Sequence, residues 1–89
     1  MNKELIVISA VWCPSCLILK KHLKKLKEEY NVEYKLLDYD FDEEEVEPYE
    51  VGKKLPVMIV KENGNEISRL IGEKSYEDIV TFLKDSGLV

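Results

Sequence analysis

The two cysteines of this chain lie where an apolar segment meets a helical one, and this placement constrains the fold more than any other feature. Cys13 and Cys16 are separated by two residues. Residues 5–10 form a short apolar run rich in β-branched side chains, which is typical of a strand buried on both faces. From Pro14 onward the pattern is helical and favours an end near Asn31. The apolar stripe of this helix comprises Leu19, Leu23, Leu26 and Tyr30.

The segment after the first helix predicts a second strand and then a weak helix. Residues 32–38 alternate loosely between apolar and polar, which indicates a strand. The acidic segment over residues 38–50 predicts a short helix over 42–49, broken near Pro48. Asp42 followed by Glu45 resembles a capping box at its start. The carboxylates here are crowded without a spaced ligand pattern, so a solvated surface is favoured over a cation site.

The last third of the chain predicts a hairpin and a covering helix. Residues 56–60 form a third strand, the Asn63-Gly64 pair (63–64) predicts a tight turn, and residues 66–71 form the return strand. Ser75 caps a final helix, and Gly87 lies just past its end. The inward-facing residues of that helix are Tyr76, Ile79, Val80 and Leu83.

The element order is βαβ, a short α, then ββα, which predicts an α/β fold with a four-stranded mixed sheet flanked by helices. The first half implies a parallel strand pair joined by a right-handed helical crossover. The second half adds an antiparallel hairpin. With 89 residues, the chain fits a single domain over residues 1–89.

Composition and charge exclude several classes of function. The net charge is −5 and the pI is about 4.9, which argues against nucleic-acid binding. No apolar run approaches the roughly 20 residues that span a bilayer, so no membrane association is expected. Two cysteines cannot form the framework of a disulfide-rich secreted domain, and no convincing signal peptide begins the chain. We therefore expect a complete cytoplasmic protein, where a C-x-x-C is catalytic or metal-binding.

The position of the cysteines at a helix N-terminus predicts different roles for the two thiols. Cys13 lies near unpaired backbone N–H groups and the positive end of the helix dipole, which stabilise a thiolate and make it a nucleophile. Cys16 lies one turn further along, less exposed and able to close a disulfide. Cys13 would attack a target disulfide, and Cys16 would resolve the mixed disulfide. Zinc would need ligands beyond these two and His22, which leaves only a site shared in a dimer.

Three motifs resemble the thioredoxin family. The C-x-x-C loop (residues 12–16) reads Trp12-Cys13-Pro14-Ser15-Cys16 and follows an apolar strand. Leu55 and Pro56, at the start of the third strand, resemble the family's cis-proline loop. The glycine turn (residues 71–75) resembles the turn before the family's last helix. The resemblance covers nearly the whole chain and implies a small thioredoxin-like or glutaredoxin-like dithiol-disulfide oxidoreductase.

The resemblance also implies which residues contact a target protein. These substrate-binding residues are Trp12, Pro14, Leu55, Pro56 and Gly72. Trp before the first cysteine is thioredoxin-like, whereas Pro after it is glutaredoxin-like. Val7 occupies the place of the buried Asp that thioredoxins use as a proton acceptor.

The expected function is the reduction of protein disulfides, with roles in electron transport and cell redox homeostasis. The expected partners are disulfide-containing proteins and a thioredoxin reductase as electron donor, with glutathione also possible. We expect a monomer with no cofactor and no metal. Two alternatives stay open: a redox-sensing or binding module of the same fold, and a glutathione-dependent glutaredoxin.

Overall fold

The computed structural model of the protein describes residues 3–89. In chain order the elements are β1 (Lys3–Ser9), α1 (Pro14–Tyr30), β2 (Tyr34–Asp38), α2 (Glu43–Val46), a 3-10 turn (Glu47–Tyr49), β3 (Val57–Glu62), β4 (Asn65–Ile71) and α3 (Tyr76–Asp85). Among residues 3–89 no helix has the length and apolar character needed to cross a membrane.

The four strands form one sheet in the order β2-β1-β3-β4. Strand β1 is parallel to β2 and antiparallel to β3, and β3 is antiparallel to β4. The predicted mixed sheet is therefore confirmed.

Strand β1 lies inside the sheet and is buried on both faces, as its apolar sequence predicts. Leu5 and Val7 point into a core shared with α1 and α3. Ile6 and Ile8 point to the opposite side, where the core contains both cysteines and Val46 of α2. The sheet thus separates two apolar layers, and the thiols belong to only one of them.

The ends of α1 follow the predicted signals. Pro14 occupies the first turn, where a missing N–H leaves no hydrogen bond unmade. Asn31 ends the helix in the left-handed conformation, with φ 55°, and its N–H donates to Lys27 O. Tyr30 is 40% exposed, so the buried stripe ends one turn earlier than predicted.

The acidic segment differs most from its prediction. Strand β2 begins at Tyr34 rather than at residue 32. The predicted capping box is wrong, because Asp42 makes no side-chain cap and its Oδ2 accepts a hydrogen bond from Asp38 N–H at 2.8 Å. The helix ends at Val46 and a 3-10 turn follows, since Pro48 has no N–H to continue the helical ladder.

The C-terminal part matches its prediction closely. Asn63 and Gly64 both have positive φ, 53° and 85°, as the tightest hairpin turns require. Ser75 Oγ accepts a hydrogen bond from Asp78 N–H at 3.1 Å, which confirms the predicted cap of α3. Gly87 lies just beyond the helix with φ 77°.

Candidate active site

Cys13 is the N-cap of α1, as the sequence predicts. Its backbone is extended (φ −98°, ψ 111°), so the side chain folds over the first turn of the helix. Cys16 N–H donates a hydrogen bond to Cys13 Sγ at 3.3 Å. This contact and the positive end of the helix dipole both favour negative charge on the Cys13 sulfur.

Cys16 is more deeply buried than Cys13, with 1% of its surface exposed against 6%. Burial, reinforced by the contact with Cys13, raises the pKa of Cys16 to about 12. Cys16 is therefore a protonated thiol at neutral pH. The two sulfurs share one apolar layer, yet only Cys13 Sγ accepts a hydrogen bond from a backbone N–H at the start of α1.

The cis-proline loop lies directly against Cys13. The Leu55-Pro56 peptide bond is cis, which confirms the expectation drawn from the resemblance. The Cys13 thiol contacts Leu55 O at 3.8 Å. Pro56 O accepts a hydrogen bond from Gly72 N–H at 2.8 Å, and Gly72 has φ 89°, a conformation that favours glycine. Cys13 therefore contacts the cis-proline loop, and that loop is in turn hydrogen-bonded to Gly72.

Trp12 projects from the C-x-x-C loop with 57% of its surface exposed. Its indole Nε1–H donates a hydrogen bond to Asp40 Oδ2 at 2.6 Å, and its ring meets Tyr39 edge-on with the centroids 6.3 Å apart. Asp40 belongs to the acidic segment that the sequence indicated only as a solvated surface. No local pattern connects it to Trp12, which lies 28 positions away.

Ser15 makes a second hydrogen bond between the C-x-x-C loop and another part of the chain. Its Oγ–H donates to Glu73 Oε1 in the glycine turn at 2.9 Å. Sequence reasoning assigned no function to either residue. Pro14, between Cys13 and Ser15, is exposed beside the N-cap, where the resemblance places a contact with the target.

The arrangement of the other candidate ligands gives no support for a metal site. Within residues 3–89, no group of three or more His, Cys, Asp or Glu side chains is arranged to hold a metal ion. His22 packs at a tilt on Tyr76 of α3, with ring centroids 5.8 Å apart. Val7 is fully buried in the apolar layer beneath α1 and α3, so that position offers no proton acceptor.

Comparison with known proteins identifies a family and a set of related structures. The family model that matches is described as Thioredoxin and covers residues 1–85. Curated protein sequences give no significant match. The chain is similar to mitochondrial thioredoxin 3 from Saccharomyces cerevisiae, at 27% identity and a TM-score of 0.82, covering 94% of this chain and 78% of that one.

Two other solved structures give similar values. One is from a study of the thiol resolving mechanism in a yeast mitochondrial 1-Cys peroxiredoxin via glutathione and thioredoxin systems, with 26% identity and a TM-score of 0.83. The other is a reduced thioredoxin pre-protein of Schistosoma mansoni, with 24% identity and a TM-score of 0.83. Each match covers 94% of this chain and 78% of the other.

Proposed function

This chain belongs to the thioredoxin family, and from that premise we propose that it reduces disulfide bonds in proteins through Cys13 and Cys16. The observation that carries the proposal is the contrast between the two sulfurs. Cys13 Sγ accepts a hydrogen bond at the N-terminus of α1, whereas Cys16 is a buried thiol whose pKa is raised to about 12. Cys13 is therefore proposed as the nucleophile, and Cys16 as the resolving thiol that stays protonated until the second step.

In the first step, the Cys13 thiolate attacks one sulfur of the target disulfide. A bond forms between Cys13 Sγ and that sulfur, while the target's own disulfide bond breaks. The other target sulfur leaves as a thiolate and takes a proton from solvent. The Cys16 N–H group that contacts Cys13 Sγ stabilises the attacking charge before the step.

In the second step, Cys16 loses its proton and attacks Cys13 Sγ. The intramolecular disulfide forms, the mixed disulfide breaks, and the second target sulfur leaves as a thiolate. Two electrons have then passed from the protein to the target. Val7 provides no acid-base group, so we propose that water or the departing target thiolate accepts the Cys16 proton.

Target binding is proposed at the surface around Cys13. An extended target segment would lie along the cis-proline loop and form backbone hydrogen bonds there, as an added strand does. Trp12 and Pro14, the sequence neighbours of Cys13, are exposed, and Gly72 is fixed to Pro56 by a 2.8 Å hydrogen bond. These are the residues that the resemblance identifies.

The proposed electron donor is a thioredoxin reductase, and the proposed setting is the cytoplasm, with the protein acting as a monomer. Glutathione is the alternative donor, in keeping with the glutaredoxin-like Pro14. The related yeast structure comes from a study in which both the glutathione and the thioredoxin systems are named. Coupled assays with thioredoxin reductase and NADPH, or with glutathione and glutathione reductase, distinguish the two donors.

Cysteine trapping tests the mechanism directly. Cys16→Ser should accumulate a mixed disulfide with a target protein, because the resolving thiol is absent, whereas Cys13→Ser should form none. Iodoacetamide at neutral pH should modify Cys13 well before Cys16. Because the pKa of Cys16 is raised, its alkylation should accelerate about tenfold per pH unit up to about pH 12.

The assay that separates an oxidoreductase from a sensing module is the reduction of insulin disulfides by dithiothreitol. Added protein should accelerate this reaction, and Cys13→Ser should abolish the acceleration. Equal trapping by both cysteine variants, or no acceleration by the wild-type protein, would contradict the proposal and favour the sensing module.

A further inference from the structure

Glu73 is connected to the redox site although it lies far from the cysteines in sequence. The hydrogen bond from Ser15 Oγ–H to Glu73 Oε1 spans 58 positions and measures 2.9 Å. Ser15 stands between the two cysteines in the first turn of α1. Glu73 follows Gly72 in the glycine turn. This contact therefore ties a carboxylate to the centre of the C-x-x-C loop.

The same residues line a narrow slot beside the cis-proline loop. Its lining includes Ser15, Glu73, Pro56 and Gly72. Pro56 O also accepts the Gly72 N–H hydrogen bond, which fixes the backbone from which Glu73 extends. The carboxylate thus approaches Ser15 from a turn that is itself anchored to the redox site.

The negative charge of Glu73 is not balanced by an ion pair within residues 3–89. Ser15 is two residues from Cys13, so its hydrogen bond holds the Glu73 carboxylate beside the C-x-x-C loop. Glu73 is exposed, so dissolved salt screens much of the repulsion between its charge and a Cys13 thiolate, and this repulsion is largest at low ionic strength. In addition, the single Ser15 hydroxyl proton is given to Glu73, and it is not available to a sulfur.

We infer that the negative charge of Glu73, held in place by Ser15, destabilises the Cys13 thiolate and thereby makes the protein a stronger reductant. This inference rests on the proposed dithiol function. The N-terminus of α1 stabilises the thiolate, and the carboxylate opposes part of that stabilisation. The reduced form carries the thiolate, whereas the disulfide form is neutral at these sulfurs. A nearby negative charge therefore destabilises the reduced form and favours transfer of its two electrons to a target.

The Glu73→Gln variant tests the inference, because glutamine keeps a hydrogen-bond acceptor for Ser15 and removes the charge. The equilibrium with glutathione, in which the protein disulfide and two glutathiones give the dithiol and glutathione disulfide, should shift up to about twofold toward the dithiol at low ionic strength. Iodoacetamide should alkylate Cys13 up to about twofold faster at neutral pH under the same conditions. Both changes have the sign expected for a stabilised thiolate.

Glu28→Gln is the matched control. Glu28 is an exposed residue of α1, twelve positions beyond Cys16 and so about 18 Å along the helix axis. The Glu28→Gln variant changes the net charge of the protein by the same amount as Glu73→Gln. It should change neither the glutathione equilibrium nor the alkylation rate of Cys13 by more than the error of measurement.

Ser15→Ala tests the anchor. Without the hydroxyl, Glu73 is free to turn toward solvent, so the same two quantities should move in the same direction by a smaller factor. The double variant Ser15→Ala with Glu73→Gln should match Glu73→Gln alone, because the two residues act as a unit. Denaturant unfolding of each variant confirms that the fold is intact.

Two results would overturn the inference. One is a Glu73→Gln variant whose glutathione equilibrium and Cys13 alkylation match those of the wild type. The other is a Glu28→Gln variant that shifts as far as Glu73→Gln, since total charge would then explain the effect. In both cases the wild-type disulfide still forms reversibly. If Cys13 and Cys16 form no disulfide at any glutathione ratio, it is the proposed function that fails.

Discussion

The two faces of the sheet are covered in different ways. On one face, α1 and α3 supply 17 and 10 residues of helix, and both helices begin at side-chain caps. On the other face, the cover is the four-residue helix α2 and a three-residue 3-10 turn, and neither has a side-chain cap. We call α2 and the 3-10 turn the thin cover, and both cysteines lie in the apolar layer beneath it. The leucines that α1 buries and the two thiols therefore belong to different apolar layers, although Cys16 itself lies in the first turn of α1.

The thin cover is held by hydrogen bonds from the hairpin as well as by packing. Lys61 Nζ donates to Tyr49 Oη at 3.1 Å, and Arg69 Nη2 donates to Tyr49 O at 2.7 Å. Val46 is the buried residue of α2. Because Val46 is the one residue of α2 and the 3-10 turn that is buried, we expect this cover to rearrange at a smaller cost than α1 and α3. The two thiols therefore lie beneath the shorter of the two covers.

The largest expected effect comes from a cavity under the long helices. Leu23 in α1 is 1% exposed and packs in the layer shared with α3. Leu23→Ala should lower the free energy of unfolding by about 3 kcal/mol, because the lost contacts and the remaining cavity both destabilise the fold. Urea unfolding of the reduced protein measures this change.

Val46→Ala tests the same kind of cavity beneath the thin cover. Val46 is also buried, yet α2 can move inward to close the smaller gap. We expect a loss of about 1 kcal/mol, with insulin reduction within twofold of the wild type. If Val46→Ala were as destabilising as Leu23→Ala, the contrast between the two faces would be wrong.

The next effect concerns the Arg69 contact that anchors the thin cover. Arg69 donates to Tyr49 O and also forms a forked pair with both oxygens of Glu66, each contact at 2.7 Å. Arg69→Ala should cost about 1 kcal/mol of unfolding free energy, because Tyr49 O loses a charge-assisted hydrogen bond. Glu66→Gln should cost less, since the bond from Arg69 to Tyr49 remains. A greater loss in Glu66→Gln would place the stabilisation in the ion pair instead.

This contact also gives a pH dependence with a defined sign. The hydrogen bonds from Arg69 hold the pKa of Glu66 below its ordinary value. A carboxyl group whose pKa is lowered in the folded state contributes stability at neutral pH, and this contribution is lost as the pH falls through the folded-state pKa. The stability difference between wild type and Arg69→Ala should therefore narrow as the pH falls below the ordinary range of a glutamate pKa and Glu66 becomes protonated. A difference that stays constant down to pH 3 would contradict this account.

The two regions also differ in how much of them the sequence predicts. The ends of α1 are encoded locally, by Pro14 at the start and Asn31 at the end, so the prediction of its bounds is confirmed. The acidic segment lacks such signals. Asp42 has two possible partners, the first turn of α2 or the backbone of Asp38, and only the folded chain shows that it binds the second.

The site shows the same division. The proposed roles of the thiols follow from their place at the N-terminus of α1, and the proposed contacts of Leu55, Pro56 and Gly72 come from the family resemblance. Asp40 and Glu73 were not predicted, because their contacts with the C-x-x-C loop span 28 and 58 positions. Hydrogen bonds of that kind depend on where the sheet brings two loops together, and no local sequence pattern specifies them.

The smallest expected effect concerns the hydrogen bond that joins the acidic segment to the redox loop. Trp12 Nε1–H donates to Asp40 Oδ2, which fixes an exposed aromatic ring beside Cys13. Asp40→Ala should free the ring and lower kcat/KM for a protein disulfide about two- to fivefold, the range that one hydrogen bond of modest net strength supports. Reduction of a small-molecule disulfide should change less than twofold, because a small substrate does not need the ring.

Glu44→Ala serves as the control for the Asp40 variant, since Glu44 is exposed in the same acidic segment and its loss changes the net charge equally. Trp12 is the only tryptophan, so its fluorescence should change in Asp40→Ala and stay constant in Glu44→Ala. Trp12→Phe should lower kcat/KM for the protein substrate, and adding Asp40→Ala to it should have no further effect, because the two residues act through one contact. An additive loss would mean that Asp40 acts on the target protein by its own charge. The acidic segment would then contact the target directly rather than through the Trp12 ring.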